Sequence, residues 1–287
     1  MNLEEFISAI TPQNNVFICV KDSTGITQKE PFCVHPARQI LSTPYCMTAK
    51  TIPGALMRCI AEVDDKNARA MQEKQPFVQI CHFGVTTVVH PVVVNDLVLC
   101  ILYASGLTTD MNKTVETIKE TCKKLKGNSK NLLKKVKTLQ HTNSITGYLA
   151  LTEAIAEYIK LLLLQTGSYT DFQHYHPAVQ DSIAQMQASY HKNISLVSCA
   201  EALHMNPKYL GRLFRNETKN TFHEYLNNIR ITRAKDLLYG TSVPVIEIAL
   251  SCGYNTVTYF NRIFKQNTGY TPTDFRRKFS PFKKEKN

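Results

Sequence analysis

Apolar residues recur along this chain with two different periods, and the change from one to the other divides it. Up to about residue 110 the pattern is one of short β-branched runs. Phe77-Val78-Gln79-Ile80, Thr86-Thr87-Val88-Val89, Val92-Val93-Val94 and Leu97-Val98-Leu99-Cys100-Ile101-Leu102 read as sheet strands, with Asn95-Asp96 as a hairpin turn. Ahead of them Ala55, Leu56, Cys59, Val63, Ala68 and Met71 follow helical steps and predict two helical segments around Asp64-Asp65. From residue 111 the period is helical. A lysine-rich helix is expected from Lys113 to Leu139, and a second from about Ser144 to Gln165 with Leu149, Thr152, Ile155, Ile159, Leu162 and Leu163 on one face. That face packs on its own domain or on the same helix of another copy. Gly167-Ser168 and His176-Pro177 mark a hinge, and His174-x-His176 reads as polar loop surface.

Beyond the hinge the helical pattern repeats itself at an offset of about fifty positions. Tyr209, Arg212, Phe214, Thr218 and Thr221 fall where Tyr259, Arg262, Phe264, Thr268 and Thr271 fall later. Each copy spells two short amphipathic helices. Val197, Ala200 and Leu203 make one stripe and Leu210, Leu213 and Phe214 the next; Ile246, Ala249 and Cys252 face Phe260, Ile263 and Phe264 in the second copy. Ala200 and Ala249 match one residue out of step, so the second turn carries an extra residue, at the Gly253-Tyr254-Asn255 corner. Each copy closes on a helix-start signal, Thr221-x-x-Glu224 and Thr271-Pro272-x-Asp274. Between them Tyr225, Leu226, Ile229, Ala234, Leu237 and Leu238 read as one connecting helix, which would hold two helix-turn-helix units at a fixed spacing on adjacent major-groove segments.

Charge sharpens that reading. The net charge is +11, and residues 191–287 hold 16 Lys/Arg against 7 Asp/Glu, whereas residues 1–110 hold 8 against 10. A basic end with paired helix-turn-helix patterns is the footprint of a polyanion contact. With the apolar residues committed to packing, Lys208 and Arg212 in the first copy and Val257, Thr258, Asn261 and Arg262 in the second are the candidates for reading base edges. Arg215 and Lys265, one position past the core aromatic, are candidates for phosphate contact. At 287 residues and 43% apolar content the chain is long enough for two cores. It shows neither a signal peptide nor an apolar run long enough to cross a bilayer, so a cytoplasmic location without membrane contact is expected, with the nine cysteines as reduced thiols.

Two resemblances follow from these residues. Across about residues 183–279 the chain resembles the AraC/XylS family of bacterial transcription regulators. The resemblance rests on Ile229-Arg230-Ile231-x-x-Ala234-x-x-Leu237-Leu238, on Ile248-Ala249-x-x-Cys252-Gly253-Tyr254, and on the run from Tyr259-Phe260-x-Arg262 to Thr268-Gly269-Tyr270-Thr271-Pro272. The first copy departs at Asn220, where a glycine is common and asparagine tolerates the same left-handed turn. In the first half Cys59-x-x-x-x-Asp64, Pro76-x-x-x-x-Cys81-His82-x-Gly84 and Pro91 with its following hairpin resemble the PocR-type sensory domain, a relative of the PAS fold; Cys46 also sits where that family often has a cysteine. The resemblance implies a domain that binds a short diol or related small catabolite and passes the signal to an output module.

Cys46, Cys59, Cys81 and His82 are therefore candidates for ligand binding or switching. Thiolates and imidazole are also what zinc or an iron-sulfur cluster prefers, but no Cys-x-x-Cys knuckle occurs in the chain. A nucleophilic role for Cys81 with His82 as base is disfavoured, because neighbours on a strand point to opposite faces. The expectation is an α+β chain: a PAS-like mixed α/β sensor domain over 1–110, a helical connector and dimerisation segment over 111–176, and an all-α domain over 177–287 with two helix-turn-helix motifs joined by a linker helix. Its expected role is a transcription regulator, an activator rather than an enzyme, needing no cofactor and controlled by a small-molecule effector. Double-stranded DNA is the expected partner, with RNA polymerase and a second copy of the chain as further candidates. The alternative is a redox- or metal-responsive regulator switching through Cys46, Cys59, Cys81 and His82.

Overall fold

The computed structural model describes residues 1–11, 16–22, 24–41, 43–168 and 175–280. His174 lies outside these residues. The chain divides into two compact units, Met1–Tyr169 and Thr170–Asn287.

The first unit is built on an antiparallel sheet. Its strands are β1 (Phe17–Asp22), β2 (Phe77–Ile80), β3 (Thr86–Val94) and β4 (Leu97–Thr108), in the order β1-β4-β3-β2, and the two-residue β5 (Gln140–His141) runs parallel to β4. The expected hairpin is present. Val94 pairs with Leu97, and Asn95 and Asp96 between them both take left-handed backbone, at φ 48° and 65°, the combination that matches the twist of the two strands. The β-branched runs at 86–89 and 92–94, separate in the sequence, form one strand through Pro91. Its missing N–H costs no ladder bond on the β2 side, because β2 pairs β3 only from Thr86 to Val89.

Both faces of the sheet are covered, which explains why β4 is buried over nearly its whole length instead of alternating. On one face α3 (Ala55–Glu73) places Ala70 among Val89, Ile101 and Tyr103. On the other lies α6 (Thr146–Gln165), where His90 Nδ1 and the Thr152 hydroxyl are 3.1 Å apart. Thr152, Ile155, Ile159, Leu162 and Leu163 are buried there, so the apolar stripe of this helix is used within its own unit; Leu161 and Leu164 remain exposed on the outer side. The first helix α1 (Leu3–Ile10) stacks Phe6 on Tyr158 of α6.

Several expectations for this unit are corrected. α3 is one helix through Asp64-Asp65, with Ala68 on its exposed side. The lysine-rich segment is broken into α4 (Met111–Lys124) and α5 (Lys130–Lys135), because Lys126 turns left-handed at φ 52° and the chain then presses against α2 (Pro44–Lys50) and its following turn: a Cβ on Gly127 would sit 2.4 Å from Ile52 Cγ2. Lys123, Lys124, Lys126, Lys130, Lys134, Lys135 and Lys137 are all exposed. Ile118, Cys122, Leu132 and Val136 from this region join Tyr45, Phe83 and Val85 in one core, and of the segment 111–176 read from the sequence as a connector, residues 111–169 fall in the first unit.

The second unit is all helical: α7 (Pro177–Ser189), α8 (Leu196–Ala202), α9 (Pro207–Thr218), α10 (Phe222–Gly240), α11 (Val245–Ser251), α12 (Val257–Thr268) and α13 (Pro272–Phe279). Phe214 of α9 packs on Phe222 and Tyr225 of α10 just as Phe264 of α12 packs on Phe275 of α13. The α8–α9 turn holds four residues and the α11–α12 turn five, the extra residue expected at the Gly253 corner. Two details differ from the sequence reading. Val197 and Ile246 are exposed, at 51% and 54%, so the core-facing stripes of α8 and α11 consist of Cys199 and Ala200, and of Ile248 and Ala249. The left-handed residue closing α9 is Lys219, at φ 58°, matching Gly269 at φ 76°; Asn220 instead donates its side-chain amide to Thr218 O.

Candidate nucleic-acid interface and sensor site

The second helix of each motif begins on a defined cap. The Asn206 side chain accepts the amide protons of Lys208 and Tyr209, and the Thr256 hydroxyl accepts that of Tyr259. Capping fixes where each helix starts, and so which residues share its outer face. On α9 the exposed residues Lys208, Arg212 and Arg215 follow at four- and three-residue steps, with exposed Tyr209 beside them. On α12 Thr258, Asn261, Arg262 and Lys265 are exposed and Val257 is half-buried. The Arg262 guanidinium lies 5.2 Å over the Tyr259 ring.

What holds this scaffold together was not visible in the sequence. Arg230 of α10 is buried, and donates from Nε to Tyr190 O at 2.8 Å and from Nη2 to Lys192 O at 3.0 Å, with its guanidinium 5.5 Å over Tyr254. Burial lowers its pKa below the usual arginine value, while Tyr254, Cys252 and Tyr259 act in the opposite sense. Nearby, Arg233 Nε reaches the Tyr190 hydroxyl at 3.1 Å, and Arg276 of α13 caps Leu238 O and Val243 O. Gly253 sits inside this knot: its φ is 84°, and a Cβ there would meet Tyr190 O at 2.7 Å. The segment after α7, the linker helix and the second turn are therefore one hydrogen-bonded assembly. A fully apolar linker could not have made these bonds.

In the first unit the four residues singled out in the sequence are brought together. Cys46, Cys59 and Cys81 pack against the core around Tyr45 and Phe83, and Cys59 Sγ lies 3.9 Å from His82 Nε2. His82 is anchored through its main chain, with its ring facing Glu62. Its Nδ1 is 2.9 Å from Glu62 Oε1, the same oxygen accepts its backbone N–H at 3.0 Å, and its carbonyl accepts from the Thr121 hydroxyl at 2.6 Å. Burial raises the Glu62 pKa, but the hydrogen bonds and charge of His82 outweigh it and hold the carboxyl low. Burial, with the Cys46 neighbour next, pushes the Cys59 thiol up to about 12 and the Cys81 thiol up to about 11. Both are neutral thiols at ordinary pH, the poorer form for metal ligation or oxidation. Among the described residues no three His, Cys, Asp or Glu side chains are grouped as a metal site. The sequence reading missed Glu62 and Lys66, which lie one and two turns beyond Cys59 on the same side of α3; that spacing was the available signal.

Against known proteins, the profile of the sensory domain found in PocR matches residues 10–161. The chain belongs to this PocR sensory-domain family. A helix-turn-helix domain profile matches residues 199–278, so the PocR-type sensory unit is joined here to the helix-turn-helix unit of AraC-type regulators. Among curated relatives, the uncharacterized HTH-type transcriptional regulator YijO of Escherichia coli (strain K12) is 37% identical over 102 residues, 36% of this chain and 35% of that protein. The uncharacterized transcriptional regulatory protein YesN of Bacillus subtilis (strain 168) is 43% identical over 89 residues, 30% of this chain and 24% of that protein. The chain thus spans about a third or less of the length of these relatives. A solved structure, the C-terminal domain of the response regulator AraT from Geobacillus stearothermophilus, is 32% identical and covers 40% of this chain and 97% of its own, with a TM-score of 0.37. Among the described residues no helix is long and apolar enough to cross a membrane.

Proposed function

We propose that this PocR-family chain is a sequence-specific transcription regulator that binds double-stranded DNA through α9 and α12 and activates transcription in the cytoplasm when a small organic effector occupies its first unit. The observation that carries this reading is the pair of capped helices with exposed cationic outer faces, mounted on one linker helix of 19 residues. At 1.5 Å per residue that linker is about 28 Å long, the scale of one turn of duplex DNA. Lys208, Arg212, Thr258, Asn261 and Arg262 read base edges, with Val257 supplying apolar contact, and Arg215 and Lys265 fix the register on phosphate. The sensory unit biases the DNA-competent population only as far as its effector binds that population more tightly. Activation brings RNA polymerase as a further partner. Pairing with a second copy would use the outer side of α6, where Leu161 and Leu164 are exposed, since the stripe of Ile155, Ile159 and Leu163 is buried. The test is selection of duplexes from a random library by the full chain: enrichment of one bipartite motif supports the reading, and retention of all sequences alike contradicts it.

A further inference from the structure

The first unit carries its charge unevenly. Residues 1–110 hold 8 Lys/Arg against 10 Asp/Glu, but from Thr121 to Thr152 the chain has no Asp or Glu, and seven lysines fall from Lys123 to Lys137. All seven are exposed, and among the described residues none of their ammonium groups enters an ion pair. A solvated helical surface ordinarily interleaves the two signs, as Glu157 and Lys160 do on α6 at 2.7 Å. Lys123, Lys124, Lys134 and Lys135 at least complement the negative ends of α4 and α5. Lys126 and Lys130 lack that reason. Lys126 takes left-handed backbone at φ 52°, which glycine or asparagine adopts more readily. Lys130 opens α5, the end where a cation is unfavourable. Lys130, Lys134 and Lys137 also follow at four- and three-residue steps, so like charges share one side of the segment and repel. This is no loose tail, because Cys122, Leu132 and Val136 are buried in the core around Tyr45 and Phe83.

Uncompensated charge of one sign, fixed on a folded surface against its own repulsion, is what a polyanion relieves. We propose that the α4–α5 face of the first unit is a second DNA contact, whose lysines bind phosphates of the duplex flanking the sequence that α9 and α12 read. The assignment rests on the reading of the second unit as a DNA reader, which brings a duplex to the same chain. The composition of the face selects duplex over other acidic partners. Leu125, Leu132, Leu133, Val136 and Leu139 are all buried or half-buried, so the face offers no apolar wedge to a membrane. From Thr121 to Gln140 there is neither an aromatic residue nor an arginine, the anchors that protein partners favour. Phosphate contact needs none of these: ammonium groups on flexible stems act as point charges and read no sequence. A sensory unit that itself touches DNA gives an effector a direct route to operator affinity.

The test is fluorescence anisotropy of the full chain on two duplexes that carry the selected motif, one ending at the motif and one extended by about two helical turns on each side. The native chain is expected to bind the extended duplex more tightly and with a steeper dependence on salt. Lys130→Gln, Lys134→Gln and Lys137→Gln, made together, are expected to leave the unfolding midpoint and the affinity for the short duplex unchanged. They should remove most of the advantage of the extended duplex and lower its salt slope by about 2–3. Lys130→Arg, Lys134→Arg and Lys137→Arg, made together, keep the charge and should keep the advantage. Equal affinity of the native chain for both lengths, or a full advantage in the glutamine variant, overturns the proposal while leaving α9 and α12 as readers. Lysine-dependent binding to phosphatidylglycerol vesicles with no advantage of the extended duplex would assign the face to a membrane surface and overturn it likewise. A native chain that selects no duplex at all would remove the DNA reading itself, and the proposal with it.

Discussion

The two helix-turn-helix motifs share one architecture but tolerate change differently. In the first, the left-handed residue of the turn is His204, at φ 53°, and Met205 N–H closes the turn on Ala200 O at 2.9 Å. In the second, Gly253 takes that place at φ 84°, and Tyr254 N–H closes on Ala249 O at 3.0 Å. The backbone problem is the same, so the glycine is not there for backbone angle alone. Tyr190 O lies 2.7 Å from where its Cβ would be, and Arg230 fastens that carbonyl to the linker helix. His204, by contrast, is exposed. The second motif is thereby built into the frame of its unit, while the first turn stands clear of it.

Breaking that difference should give a graded series. Gly253→Ala combines a left-handed penalty with a collision against backbone, and should cost about 2–4 kcal/mol in urea unfolding; His204→Ala should cost less than about 1 kcal/mol, and equal losses would refute the asymmetry. Next, Arg230→Met removes the guanidinium bonds to Tyr190 O and to Lys192 O, the latter keeping only the Ile194 N–H, and should cost about 2–3 kcal/mol, with the second motif showing the faster amide exchange. Arg212→Ala and Arg262→Ala should each weaken specific binding by about 1–3 kcal/mol while leaving unfolding unchanged. Arg215→Ala or Lys265→Ala should lower affinity for every duplex alike, and the slope of log affinity against log salt should fall by about 1 in a titration by fluorescence anisotropy. Smallest of all, His204→Gly should stabilise the unit by up to about 1 kcal/mol, since glycine adopts that backbone without cost.

The helical unit was legible because helix-turn-helix packing writes itself locally: Phe214, Phe264 and the Thr221 and Thr271 caps carry their roles within a few residues. Exposure of Val197 and Ile246 was not legible, because apolar spacing predicts a helix but does not say which side of a seven-residue helix faces inward. In the first unit the hairpin at Asn95-Asp96 could be read from turn chemistry. The break at Gly127 could not, for it is imposed by Ile52, far away in sequence. β1 and α1 passed unnoticed: β1 holds a lysine in its buried run, and α1 is short. Cys46, Cys59 and Cys81, far apart in the sequence, pack against one core, whereas burial of Lys66 was hidden because a charge on a helix reads as a solvated face.

The most direct test of the account is to titrate the full chain and its two arginine variants on duplexes carrying either half of the selected motif altered. If α9 and α12 each read one segment, Arg212→Ala will become indifferent to changes in one half and Arg262→Ala to changes in the other, the halves lying about one helical turn apart. If both variants keep the discrimination of the native chain at both halves, the two helices are not the readers, and the central claim fails.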